Sequence, residues 1–252
     1  MKSTTTIQIK PRFASGLAAL LATAMLSLGA AAPAWAGNGN TGNPGVLPPQ
    51  SQPYGKSYGE WATAWWQWVL SIPADRNPLT DTTGEFAGGS QHGPVWLVAG
   101  TFGNSVERSF TMPAGKAIFM PVSNWIFGAG VFDCDPTVPG VPCDVPTLRA
   151  YAAANTEAAD VLEVSIDGVP LQNVHGYRAS SPKPFSLTYP ENSVVGVPAG
   201  NYYPQVADGY WLMIAPLSKG THDIRLHVRA PGTIFGLIEY EVVLNIEVTT
   251  QP

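Results

Sequence analysis

The sequence predicts a mainly β fold: an antiparallel β-sandwich, jelly-roll or immunoglobulin-like, with a Trp-rich N-terminal helix and a second short helix. Three observations lead there. Short apolar runs recur with Gly, Pro, Asn and Asp between them, as in strands joined by tight turns. Gly and Pro number 26 and 24 in 252 residues while charged residues make up 12%, which suits a turn-rich exported protein better than a helical cytoplasmic enzyme. One stretch, SYGEWATAWWQWVLSI at residues 57–72, breaks the strand pattern with helical periodicity and presents an apolar face that must be covered.

Residues 1–36 read as a signal peptide. Lys2, Lys10 and Arg12 precede an uncharged Ala- and Leu-rich run, and Ala34-Trp35-Ala36 forms a small-residue cleavage site. No Cys stands at that site and no Arg-Arg pair precedes it, so general export to the periplasm or the extracellular space is expected, with no membrane span after cleavage. Cleavage would remove three of the 13 basic residues and none of the 18 acidic ones, leaving a net charge of −8. No basic cluster exists for nucleic acid or an anionic membrane surface. Residues 37–53, with one Val and one Leu, are expected to be a flexible leader. The remainder, residues 54–252, is expected to form a single sandwich domain.

In the helix, Tyr58, Trp61, Trp65, Trp68 and Ile72 share a stripe, with Trp66 at its edge. Ser57 and Glu60 have capping-box spacing and Pro73 ends the helix. Residues 74–93 read as an ordered but irregular connection. Residues 95–99, VWLVA, form a buried strand, and residues 106–112 and 117–122 flank PAGK as a hairpin. Residues 124–131, NWIFGAGV, read as an aromatic loop or lid, and residues 146–160 as the second helix, with Pro146 in its first turn. Asp167-Gly168 marks a type I′ hairpin between residues 162–166 and 169–174. Residues 185–189 form a short strand, residues 210–215 and 221–228 a third hairpin, and residues 237–248 the closing strand.

The stretches YGKSYGEWATAWWQWVLSIP, QHGPVWLVAGTF, MPAGKAIFMPVSN and GYWLMIAPLSKGTHDIRLHV resemble a family of uncharacterised exported bacterial proteins. That family carries a YGxxYxxWxxxWWQW helix ahead of GPVWFLAG and VPAGKALFFPV strands. The resemblance covers most of the chain after the signal segment. It implies a location and an architecture, and carries over neither an activity nor catalytic residues. Family members often place cysteines near the positions of Phe86 and Phe110, which suggests that the two phenylalanines pack together here.

Cys134 and Cys143 lie nine apart and, in an oxidising compartment, are expected to form a disulfide. Asp133, Asp135 and Asp144 flank them and leave open a calcium loop, but no transition-metal site is expected there and no cofactor anywhere. His92 and His175 sit in turns; His222 and His227, an odd number apart, fall on opposite faces of one strand. Metal and serine-nucleophile motifs are missing. Glu60, Asp81, Glu85 and Asp208 are the carboxylates to examine for acid–base work. The sharper expectation is ligand stacking on exposed aromatics, with Trp66, Trp125, Tyr202, Tyr203 and Tyr210 as candidates. The reading is therefore an exported non-enzymatic binding or structural protein of the bacterial envelope, directed at polysaccharide or another envelope protein. The alternative is a glycan hydrolase or lyase using a carboxylate pair.

Overall fold

Two β-sheets pack as a sandwich in the computed structural model, which describes residues 43, 45–130, 134 and 144–250. The expected signal segment, the start of the leader, Asp133, Asp135 and Cys143 lie outside the described residues. In chain order the elements are β1 (Val46–Leu47), α1 (Tyr58–Leu70), β2 (Val95–Leu97), β3 (Val106–Pro113), β4 (Ala117–Gly128), α2 (Val145–Glu157) and β5 (Val161–Ile166). There follow β6 (Val169–Pro170), β7 (Arg178–Ser180), β8 (Phe185–Tyr189), β9 (Gly200–Ile214), β10 (Gly220–Thr233) and β11 (Gly236–Thr249). The first sheet runs β1-β9-β4-β2, with β7 and β8 also paired to β9; the second runs β3-β11-β10-β5-β6. No helix among the described residues is long and apolar enough to cross a membrane.

The sheets differ in how they are covered. On β10 the buried Ile224, Leu226, Val228 and Ala230 alternate with Arg225, His227 and Arg229, the signature of a strand with one wet face. On β4 and on β9 from Gln205 nearly every residue is buried, as expected of strands covered on both sides. Part of that cover is helical: α1 lies against β7, β8 and β9, and α2 against β4 and β9. The rings of Tyr58 and Trp61 meet Phe119 at 5.8 and 6.0 Å, and Trp65 meets Trp211 at 5.5 Å.

Both helices start as their sequences dictate. Ser57 Oγ accepts from the Glu60 amide at 3.2 Å, and Glu60 Oε2 accepts from the Ser57 amide at 2.8 Å. In α2 the Asp144 carboxylate accepts from the Thr147 amide at 2.9 Å. Asp167 and Gly168 take φ of 51° and 73°, the type I′ geometry that closes β5 onto β6.

Several expectations need correction. The PAGK turn does not close a hairpin: β3 pairs with β11 in the second sheet and β4 with β9 and β2 in the first. The turn at residues 215–219 likewise carries the chain between sheets, from β9 to β10. Both β2–β4 and β3–β11 are parallel, so the sandwich is antiparallel in its body and mixed at these pairs. NWIFGAGV is mostly not a loop: residues up to Gly128 continue β4, laddered to β9. The leader is not wholly flexible, since Val46 and Leu47 pair with Ile214 and Met213, and Asn43 Nδ2 donates to the Gln172 carbonyl at 2.7 Å. Phe86 and Phe110 make no ring contact with one another among the described residues; Phe110 packs instead on the main core.

Candidate functional site

A cavity of about 130 Å³ opens where α1 meets β4 on one side and β10 and β11 on the other. Each wall follows from the sequence around it. The helical stripe places Trp65 against the sheet, 0% exposed, and the next residue, Trp66, turns its ring toward the cavity edge at 8% exposure. The two indoles meet edge to face at 4.9 Å. From β4 come Ser123, Asn124, Trp125 and Ile126, and from β10 and β11 come Val228, Ala230, Ile238 and Tyr240. A register shift between Pro121 and Ser123 re-aims the side chains that follow it, and those are the ones that line the cavity. Tyr240 donates its hydroxyl to the Val122 carbonyl at 2.9 Å, tying the two sheets together there. Burial pushes its ionisation above the ordinary tyrosine range.

The remaining wall is loop. Leu79 and Thr101–Gly103 contribute to the lining, and a buried guanidinium holds both segments in place. Arg108 donates to the carbonyls of Asp81 at 2.7 Å, Ala99 at 2.9 Å, Gly100 at 3.0 Å and Leu79 at 3.4 Å. Its burial lowers its pKa, and the Asp81 charge opposes that. Nothing in the local pattern of residues 106–112 marks this arginine; a lone Arg on a half-buried strand was the available signal. At the mouth, Phe102 and Phe235 are 54% and 63% exposed. The lining is thus dominated by aromatic and aliphatic carbon with a few polar atoms, the general make-up of a small-molecule site.

The expected site residues separate into two groups. Trp66 and Trp125 come together on the cavity, but each is 8% exposed, so neither offers an outward stacking platform. Tyr210 is buried beside His175, ring to ring at 5.4 Å. Tyr202 is half-buried against Tyr189 and bonds the Pro198 carbonyl at 3.1 Å. Tyr203, 60% exposed, is the one candidate of the five with an open ring. Burial of the apolar stripe decided this, since a two-sided strand leaves its aromatics no surface.

The carboxylates do not converge. Glu60 is spent on the capping box, which holds its pKa below the usual range through the Ser57 hydrogen bonds. Burial would raise the Asp81 pKa, but amide donors from Phe86, Thr83 and Gly84 outweigh it and hold it low. Asp208 accepts both arms of Arg178 at 2.9 and 3.0 Å and the Ser180 hydroxyl at 3.0 Å. Arg178 also bonds Glu157 at 2.8 Å. Its Asp208 bonds raise the guanidinium pKa above the ordinary value. Glu85 is exposed. His222 and His227 do fall on opposite faces: His227 lies outward between Glu163 at 3.3 Å and Glu239 at 3.1 Å, and His222 bonds Asp167 at 2.7 Å. Among the described residues no group of three or more His, Cys, Asp or Glu side chains is placed to hold a metal ion. Cys134 is buried; its expected partner lies outside the described residues.

Comparisons with known proteins add little. No family model matches the chain, and no curated protein matches it. Among solved structures, the chain is similar to the cysteine protease inhibitor EhICP2 from Entamoeba histolytica at 7% identity. The alignment covers 62% of this chain and 96% of that one, with a TM-score of 0.24.

Proposed function

We propose that the chain is an exported binding protein of the bacterial envelope or the space beyond it, and that it takes a small, mostly apolar molecule into the cavity between α1 and the two sheets. The observation that carries this reading is the cavity's make-up: two helix indoles and Trp125 face aliphatic side chains of both sheets. Sites for small organic ligands are built this way, with apolar walls and a few placed polar groups. The export segment and the resemblance to exported bacterial proteins supply the compartment in this reading.

Binding is favoured over glycan processing because Glu60, Asp81 and Asp208 are engaged in a cap, a loop and an ion pair, and Glu85 is exposed. They do not face one another across a cleft. Of the five aromatics expected to stack on polysaccharide, Tyr203 is the exposed one and Tyr202 is half-buried.

Filling the cavity tests the reading. Ala230 lies on its wall and is 2% exposed. In wild type, benzene or toluene is expected to bind measurably by calorimetry and to raise the melting temperature. Ala230→Leu is expected to remove that binding while the fold persists. Apolar probes that leave wild type unchanged would overturn the proposal; retention on an oligosaccharide array, lost in Tyr203→Ala, would favour the polysaccharide reading instead.

A further inference from the structure

At the start of β10, ahead of the cavity-lining Val228 and Ala230, one imidazole touches two turns at once. His222 shares the strand face of the buried Ile224, and its side chain is 11% exposed. Its Nδ1 lies 2.7 Å from Asp167 Oδ2 in the β5–β6 turn. Its Nε2 lies 2.9 Å from the Ser218 carbonyl oxygen in the turn between β9 and β10. A carboxylate and a main-chain carbonyl can only accept, so each ring nitrogen needs its own proton for both bonds to stand. The arrangement is therefore that of the imidazolium. A neutral ring keeps one proton and must give up one of the two bonds.

Which bond yields is set by what else lies within reach. Asp167 is fixed from two sides: its amide donates to the Asp223 carbonyl at 2.8 Å, and its Oδ1 accepts from the Asp223 amide at 3.0 Å. Its charge also favours a proton on Nδ1. Nε2 has an alternative, because Ser218 Oγ stands 3.3 Å away and a hydroxyl can donate as well as accept. We infer that His222 is a proton-operated latch on the turn between β9 and β10. As imidazolium it ties the Ser218 carbonyl to the β5–β6 turn; as neutral imidazole it releases that carbonyl and accepts a hydrogen bond from the Ser218 hydroxyl instead. Asp, His and Ser in this order resemble a serine hydrolase relay, but Nε2 lies closer to the carbonyl than to the hydroxyl. The latched turns also seat the chain that enters α1. The Ala215 amide donates to the Gly45 carbonyl at 2.7 Å, and the Gln172 amide, just after β6, donates to the Asn43 side chain. Of the other charges nearby, Asp223 is bonded to Arg225, Glu247 on β11 favours the cation, and Lys219 follows Ser218 in the turn. Burial lowers the ring's pKa, but the bonds to Asp167 and Ser218 outweigh it. The latch is thus closed in mildly acidic solution and opens as pH rises through a midpoint above the ordinary histidine value.

The test is an NMR titration of the whole chain in which the ring nitrogens are observed directly. In wild type, His222 is expected to titrate above about 6.5, and the Lys219 amide, which shares a peptide group with the Ser218 carbonyl, is expected to shift with the same midpoint. Exchange of the Ala215 amide, corrected for its intrinsic pH dependence, is expected to quicken above that midpoint. Two substitutions should move the midpoint in opposite directions. Ser218→Ala removes the hydroxyl that replaces the carbonyl when the ring is neutral, and is expected to raise it by about half a unit, the equivalent of a weak net hydrogen bond. Asp167→Asn keeps an acceptor for Nδ1 and tolerates the positive φ of that turn, but loses the charge, and is expected to lower it by about one unit. A simple ion pair would reproduce the Asp167→Asn shift and leave Ser218→Ala at the wild-type midpoint; that result would overturn the latch. So would a Lys219 or Ala215 amide indifferent to the His222 titration, which is read in wild type and needs no variant to fold.

Discussion

Arg108 places a full charge inside the protein and directs it at main-chain carbonyls rather than into an ion pair. Charged hydrogen bonds of this kind are each worth about 1.5–3 kcal/mol, and leaving their partners unmade costs similarly. The planar guanidinium matters, because its fixed fork reaches the 79–81 and 99–100 segments at once; an ammonium cannot span them. Arg108→Lys is therefore expected to lose about 2–3 kcal/mol in urea unfolding and to weaken apolar probe binding, since Leu79 and the 101–103 loop form one cavity wall. Unchanged stability in that variant would mean that the loops hold themselves. At Trp65, 0% exposed, truncation to Ala is expected to cost about 3–5 kcal/mol. Trp66→Phe deletes no bonded N–H and is expected to cost far less. The sequence distinguishes these two adjacent tryptophans through their angle on the helix, one on the stripe and one at its edge.

At the scale of elements, α1 was legible in its periodicity and its capping box, which are local signals, though it ends at Leu70, short of the expected Ile72. Its seat was not. Gly59 lies so close to β7 that a Cβ would sit 2.1 Å from the Ser180 carbonyl oxygen, a main-chain atom with little freedom to yield. In an isolated helix Gly→Ala gains about 1 kcal/mol. Here Gly59→Ala is expected to destabilise in spite of that gain, and a variant that melts above wild type would show that α1 can lift from β7 at no cost. The two mistaken hairpins have a common cause. Turn chemistry records that the chain reverses, but not whether the flanking strands pair with each other. The distinguishing signal lay in the strands: β3 alternates exposed and buried residues while β4 is buried almost throughout, and strands with such different cover belong to different layers. The same continuous burial withdrew Trp125 and Tyr210 from the surface.

For the whole molecule, the sandwich and the two helices followed from spacing and composition, because those signals are summed over many residues. The cavity did not, since its walls join residues from 65 to 240 and no local pattern encodes their meeting. The charge distribution over the folded molecule leads to a last prediction, on pH. His227 is held between Glu163 and Glu239, with Glu241 opposite it in register, and Arg225 and Arg229 two residues away on the same face. Its bonds to Glu239 and Glu163 raise its pKa above the ordinary value near 6.5. At His222, burial lowers the pKa, but the bonds to Asp167 and Ser218 outweigh it. A histidine whose folded pKa is raised stabilises fully below its unfolded value, and that stability fades as pH rises through the folded one. Asp81 works in the opposite sense: its lowered pKa gives stability above the usual carboxylate range that is lost as pH falls through the folded value. Stability is thus expected to peak in mildly acidic solution, between the carboxylate and histidine ranges. It should decline from there toward pH 8, and more steeply at low salt, because the His227 pairs are solvent-facing and screened. Replacing both histidines with Gln should flatten the decline above pH 6.5 and leave the acid limb in place. An unaltered slope above pH 6.5 in that double variant would assign the decline to other groups.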